Sequence, residues 1–163
     1  MASPQHRVVT ASAPGTLMLF GEHAVLHGHR ALCAAVNRRL RVTATARPDD
    51  RVIIHSALGE RSMALDALDA SPPFSFVATC VAEGRSGLTG GVDLRIQSEF
   101  RDDLGLGSSA AVTVATLAAL DGLSGRAVSA ADLHRRGLAV IRHVQGVGSG
   151  TDVAASVLGG IVS

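Results

Sequence analysis

The sequence predicts an α/β (α+β) chain in which strands pack against helices around one core. Three observations predict it. Residues 39–47 and 91–98 alternate apolar with polar side chains, the two-residue period of a half-buried strand. Residues 108–120 open with two serines and continue in Ala, Val, Thr and Leu, apolar all round, as in a helix buried on most sides. With four Phe and no Trp or Tyr, the core must be built from Ala, Val, Leu and Ile, whose small volumes favour close helix-on-sheet packing.

The elements follow in order. Residues 8–13 and 16–20 are short β-prone runs separated by Pro14-Gly15, and predict two strands around a tight turn. A polar loop or helical turn spans 22–29. The strand at 39–47 turns Leu40, Val42, Ala44 and Ala46 to one face, and residues 51–56 are expected to pair with it across Pro48-Asp49-Asp50. Pro72-Pro73 then stops the chain. A helix over 74–83 aligns Phe74, Val77, Ala78 and Val81, with Gly84 at its end. The strand at 91–98 buries Val92, Leu94 and Ile96, and a glycine-rich turn at 105–107 leads into the buried helix. Residues 129–144 form an amphipathic helix, capped by Ser129 and carrying Asp132 in its first turn, where a carboxylate suits the helix dipole. Gly146, Gly148 and Gly150 break it, 152–158 form a short helix, and 159–162 begin a strand. No closing turn follows, which predicts that the chain is part of a longer one.

Composition excludes several functions. With 163 residues, 47% hydrophobic and 18% charged, the chain suits one packed domain and not a disordered, solvated polymer. Net charge is +1, and the 15 basic residues, all Arg, are too dispersed to track a nucleic-acid backbone. Chemistry that needs a lysine amine is also excluded. Cys33 and Cys80 lie in apolar surroundings without metal-ligand spacing, as buried free thiols of a reducing compartment do. The first seven residues show no secretory pattern, and the uncharged run 104–120 falls short of the ~20 apolar residues of a membrane span. The expectation is a cytoplasmic protein with neither nucleic-acid nor membrane partners, homodimerisation being left open.

Three stations could carry chemistry. Gly105-Leu106-Gly107-Ser108-Ser109-Ala110-Ala111 joins a strand to the buried helix. Glycines let backbone approach a phosphate, the helix N-terminus supplies amide protons, and a Ser hydroxyl can ligate phosphate or Mg²⁺. An ordinary serine-capped helix is the plain alternative, but two glycines, two serines and an all-small helix together favour phosphate. Asp152 follows Gly148-Ser149-Gly150-Thr151 in an otherwise uncharged stretch. It is either a helix-start residue satisfied by amides or a carboxylate held near a reacting proton. Glu22-His23 sits in the early polar loop, suited to hydrogen bonding a polar substrate. His27 and His29 read as surface residues, because Gly28 disfavours the helix a shared metal would need.

These stations, in this order, resemble the family of galactokinase, homoserine kinase, mevalonate kinase and phosphomevalonate kinase, the GHMP kinases. Ala13-Pro14-Gly15 through Gly21-Glu22-His23-Ala24-Val25-Leu26-His27-Gly28 is similar to the first motif, most closely in its mevalonate kinase form. Gly105 to Ala111 resembles the ATP phosphate loop. Gly148 to Asp152 with Gly159-Gly160 resembles the segment of the catalytic aspartate.

The resemblance implies a fold like domain 2 of ribosomal protein S5, a mixed sheet backed by helices. Residues 1–163 would form the N-terminal, ATP-binding domain, with the family's C-terminal domain and its third motif absent from this chain. It implies ATP-dependent phosphoryl transfer to a small-molecule alcohol, mevalonate first, with ATP and Mg²⁺. Gly105, Leu106, Gly107, Ser108, Ser109 and Ala110 would hold the ATP phosphates, Ser109 also Mg²⁺. Glu22 and His23 would bind the acceptor, and Asp152 would orient or deprotonate its hydroxyl. Four departures stand out. Thr16 replaces the usual Lys, Arg101-Asp102-Asp103 precedes the loop, Ile141 stands where a metal-binding Glu is expected, and Gln145-Gly146 is closer to phosphomevalonate kinase. Phosphomevalonate or a sugar is therefore the alternative acceptor. A non-catalytic nucleotide-binding or interaction module is the alternative of another class.

Overall fold

The computed structural model describes residues 7–163. Its strands are β1 (Val8–Phe20), β2 (Leu32–Ala46), β3 (Arg51–Ser56), β4 (Gly59–Ala64), β5 (Val92–Ser98) and β6 (Ile161–Val162). Its α-helices are α1 (Ser75–Gly84), α2 (Ser108–Ser124), α3 (Ala130–Gln145) and α4 (Thr151–Leu158). The sheet runs β1-β2-β5-β3-β4, with β6 added to the start of β2. β3 and β5 are parallel and every other pair is antiparallel, so the sheet is mixed, as expected. Helix α2 lies against β1 and β2, flanked by α1 and α3, and α4 packs on β1, β2 and α2.

The alternating strands do what their period requires. Val42, Ala44, Val92 and Leu94 are fully buried and meet Ala110, Ala111, Ala115 and Leu117 of α2 in one core. Ala at these helix positions lets the helix backbone approach the sheet closely. Phe74, at the N-terminal cap of α1, and Val77, Ala78 and Val81 within the helix are buried as the spacing predicts. Ser129 caps α3, its hydroxyl accepting from Asp132 N at 3.1 Å. Both cysteines are free and buried.

Two expectations are overturned. Pro14-Gly15 is no turn, because β1 runs unbroken from Val8 to Phe20 with a register shift between Pro14 and Thr16. A bulge at the sheet edge accommodates Pro, which has no N–H to give a ladder. Strand β3 does not pair with β2 either, since β5 lies between them. Arg47 N donates to Gly91 O and Gly91 N to Asp49 O, so the Pro48-Asp49-Asp50 link steps over the start of β5. A few extended residues at ~3.3 Å each span the ~10 Å between next-but-one strands, and turn-forming residues do not distinguish that step from a hairpin.

Candidate functional site

The glycine loop is anchored to the first strand. After a 3-10 turn at Asp102–Leu104, Gly105 and Gly107 take φ of 67° and 61°, and α2 begins at Ser108. The helix cap is Gly107, with no side-chain hydrogen bond, so the serine-capped alternative is not what forms. Ser108 and Ser109 lie inside the first turn, where helix N–H groups lack intrahelical acceptors. Thr16 N donates to Leu106 O at 2.9 Å. A Cβ at Gly107 would stand 2.0 Å from Thr16 Oγ1, and one at Gly15 would stand 2.8 Å from Leu106 O. Both glycines are therefore required by the closeness of β1 to the loop.

Thr16 is buried, and the helix carrying Asp152 packs on the same strand. Burial pushes the Cys33 thiol up, the Asp152 carboxylate pushes it further, and the Thr16 hydroxyl acts in the opposite sense. The helix carrying Asp152 is pinned to the bulge, Ser156 Oγ donating to Pro14 O at 3.0 Å. Asp152 is half-buried, and Oδ1 accepts from Val153 N at 2.8 Å. The Ser149 hydroxyl accepts from Thr151 N at 3.3 Å and so serves the start of α4.

A cavity of about 630 Å³ opens beside Ser108 and Ser109, walled by Leu40, Phe74, Val77, Ile96, Phe100 and Val112. This lies within the ~300–1,000 Å³ of small-molecule sites. Sequence reasoning missed it. The available signal was aromatic, since three of the chain's four Phe (Phe74, Phe76 and Phe100) line it. Of the two carboxylates before the loop, Asp103 is held by Arg101 through Nε at 3.0 Å and a terminal nitrogen at 2.5 Å. That pairing offsets much of its repulsion toward a phosphate.

The structure brings Gly105–Gly107 and Thr16 together, and Ser156 ties the helix carrying Asp152 to the same strand at Pro14. Glu22 and His23 are exposed on the turn before a 3-10 segment at Ala24–His27 and lie apart from the contact of the loop with Thr16. Ile141 is buried in α3, 2% exposed. Among the described residues no three His, Cys, Asp or Glu gather as a metal site. Among those residues, too, no helix is long and apolar enough to cross a membrane.

The family model described as the GHMP kinases N terminal domain matches residues 74–160, and the galactokinase galactose-binding signature matches residues 2–46. The chain is 39% identical to mevalonate kinase of Archaeoglobus fulgidus over 92% of its length and 50% of the relative's. It is 36% identical to that of Methanothermobacter thermautotrophicus over 94% and 49%. It thus spans about half the length of the curated relatives it matches. The crystal structure of Methanococcus jannaschii mevalonate kinase shares the fold, with a TM-score of 0.83 at 23% identity over 98% of this chain and 53% of that one.

Proposed function

The chain belongs to the GHMP kinases, and from that premise we propose that it is the ATP-binding part of a small-molecule kinase whose preferred acceptor is mevalonate. The observation that carries the reading is the contact of the glycine loop with Thr16, which anchors an uncapped helix N-terminus and its adjoining cavity to β1, the strand to which Ser156 also ties the helix carrying Asp152. Gly105, Leu106, Gly107, Ser108, Ser109 and Ala110 hold the phosphates with backbone amides and hydroxyls, and the apolar cavity takes the nucleoside. Ser109 contributes the hydroxyl that would hold Mg²⁺, which when bound neutralises charge on the phosphate oxygens. Asp152 orients the acceptor hydroxyl and takes its proton as that oxygen bonds to the γ-phosphorus and the bond to ADP breaks. Glu22 and His23, exposed, hydrogen-bond the acceptor's polar groups. A cytoplasmic, reducing location suits the two buried free thiols.

A sugar acceptor is the second reading, favoured by the galactose-binding signature over residues 2–46. The test is kcat/KM of the complete protein with Mg-ATP across mevalonate, phosphomevalonate and galactose. Mevalonate is expected to lead. A lead for phosphomevalonate would assign the acceptor through Gln145-Gly146, and binding of Mg-ATP without transfer to any alcohol would make the chain a nucleotide-binding module.

A further inference from the structure

The glycine segment before Asp152 lies along a stripe of α3. His134, Leu138 and Arg142, spaced four residues apart, share one helix face. His134 Nε2 donates to Gly150 O at 3.1 Å, and Arg142 Nε donates to Gly148 O at 3.0 Å. A carbonyl only accepts, so Nε2 carries the proton. Between these bonds the backbone lies flush on the helix. A Cβ at Gly150 would stand 3.1 Å from Leu138 Cδ2, and one at Gly148 would stand 3.0 Å from Ile141 Cγ2. Gly150 O also accepts from Ala154 N at 2.8 Å, the opening bond of α4. One carbonyl thus ties α3 to the start of the helix whose second residue is Asp152.

We propose that His134, assisted by Arg142, is a positioning residue that fixes Asp152 toward the acceptor hydroxyl. The inference rests on the reading of Asp152 as proton acceptor. His134 touches no reacting atom and acts through the Gly150 carbonyl, while Arg142 holds the other end of the same segment.

His134→Leu removes the donor, and His134→Gln retains an N–H. The first readout is amide exchange at Ala154, measured on this chain. His134→Leu is expected to speed it roughly five- to tenfold, the worth of one ordinary hydrogen bond, with His134→Gln close to wild type. The second readout is phosphoryl transfer by the complete protein, where His134→Leu should lower kcat at least about tenfold with KM for ATP unchanged and His134→Gln should restore most of it. Wild-type kcat in His134→Leu, or equal loss in both variants, overturns the proposal. If His134→Leu does not fold, Arg142→Gln on the exposed side of the segment is read the same way, a fall in kcat at constant KM supporting the clamp and wild-type kcat overturning it. If the wild-type protein transfers no phosphate, the reading of Asp152 fails on its own. Exchange at Ala154 then decides whether His134 holds the segment, and an unchanged rate overturns that as well.

Discussion

Asp152 holds to its own helix through one oxygen, which accepts from the Val153 amide. Asn at this position keeps an oxygen for that amide and loses the ability to take a proton. Asp152→Asn in the complete protein is therefore expected to lower kcat roughly 10²- to 10⁴-fold, with melting temperature and ATP affinity near wild type. Ser109→Ala should do the reverse, weakening Mg-ATP binding by calorimetry while the fold stays intact. Near-normal turnover of Asp152→Asn would reduce that carboxylate to a helix-start residue. These residues were legible in the sequence because each breaks a local pattern: glycines and serines opening an all-small helix, and one charge in an uncharged stretch. The role of Thr16 was not legible. Its burial and its contacts with Leu106 O and Gly107 depend on a bulge that joins segments about 90 positions apart.

The helices are locked together by charge. Arg136, 6% exposed, donates to both oxygens of Glu83 at 2.8 and 2.6 Å, and to Asp121 Oδ2 at 2.6 Å, so one guanidinium joins α1, α2 and α3. Asp121 is 3% exposed, and without Arg136 its carboxylate would be buried and largely unpaired, with only Arg126 at 3.9 Å. Arg136→Met is expected to cost about 3–5 kcal/mol, or roughly 6–20 °C in melting temperature for a chain of this size, measurable by calorimetry or circular dichroism. A shift under about 2 °C would show that water reaches Asp121. Helices were the most legible elements, because a buried or amphipathic stripe is a property of one segment. Strand neighbours were not, because β5 enters between β2 and β3 from about 40 residues further along the chain. Strand β4, with Gly, Glu, Arg and Ser among its six residues, lies at the sheet edge and has almost no apolar alternation to find.

At the scale of the molecule, everything proposed to hold the nucleotide lies within these residues: the loop, the helix N-terminus, the cavity and the Thr16 contact that anchors the loop. Binding is therefore separable from transfer, and the chain by itself should bind Mg-ATP. A ligand that binds only the folded state stabilises it by RT ln(1 + [L]/Kd), about 2.7 kcal/mol at a hundredfold excess over Kd. For a chain of this length that corresponds to roughly 5–10 °C in melting temperature. A scan with Mg-ATP should show the rise. Gly107→Ala should abolish most of it, because φ of 61° and a methyl 2.0 Å from Thr16 Oγ1 would push the loop away from β1. The control is the melting temperature of that variant without ligand. If it falls by no more than a few degrees while the Mg-ATP shift disappears, the loop acts as the nucleotide cradle. If wild type and variant rise equally, the nucleotide binds elsewhere on the molecule, and the assignment of Gly105 through Ala110 to phosphate is wrong.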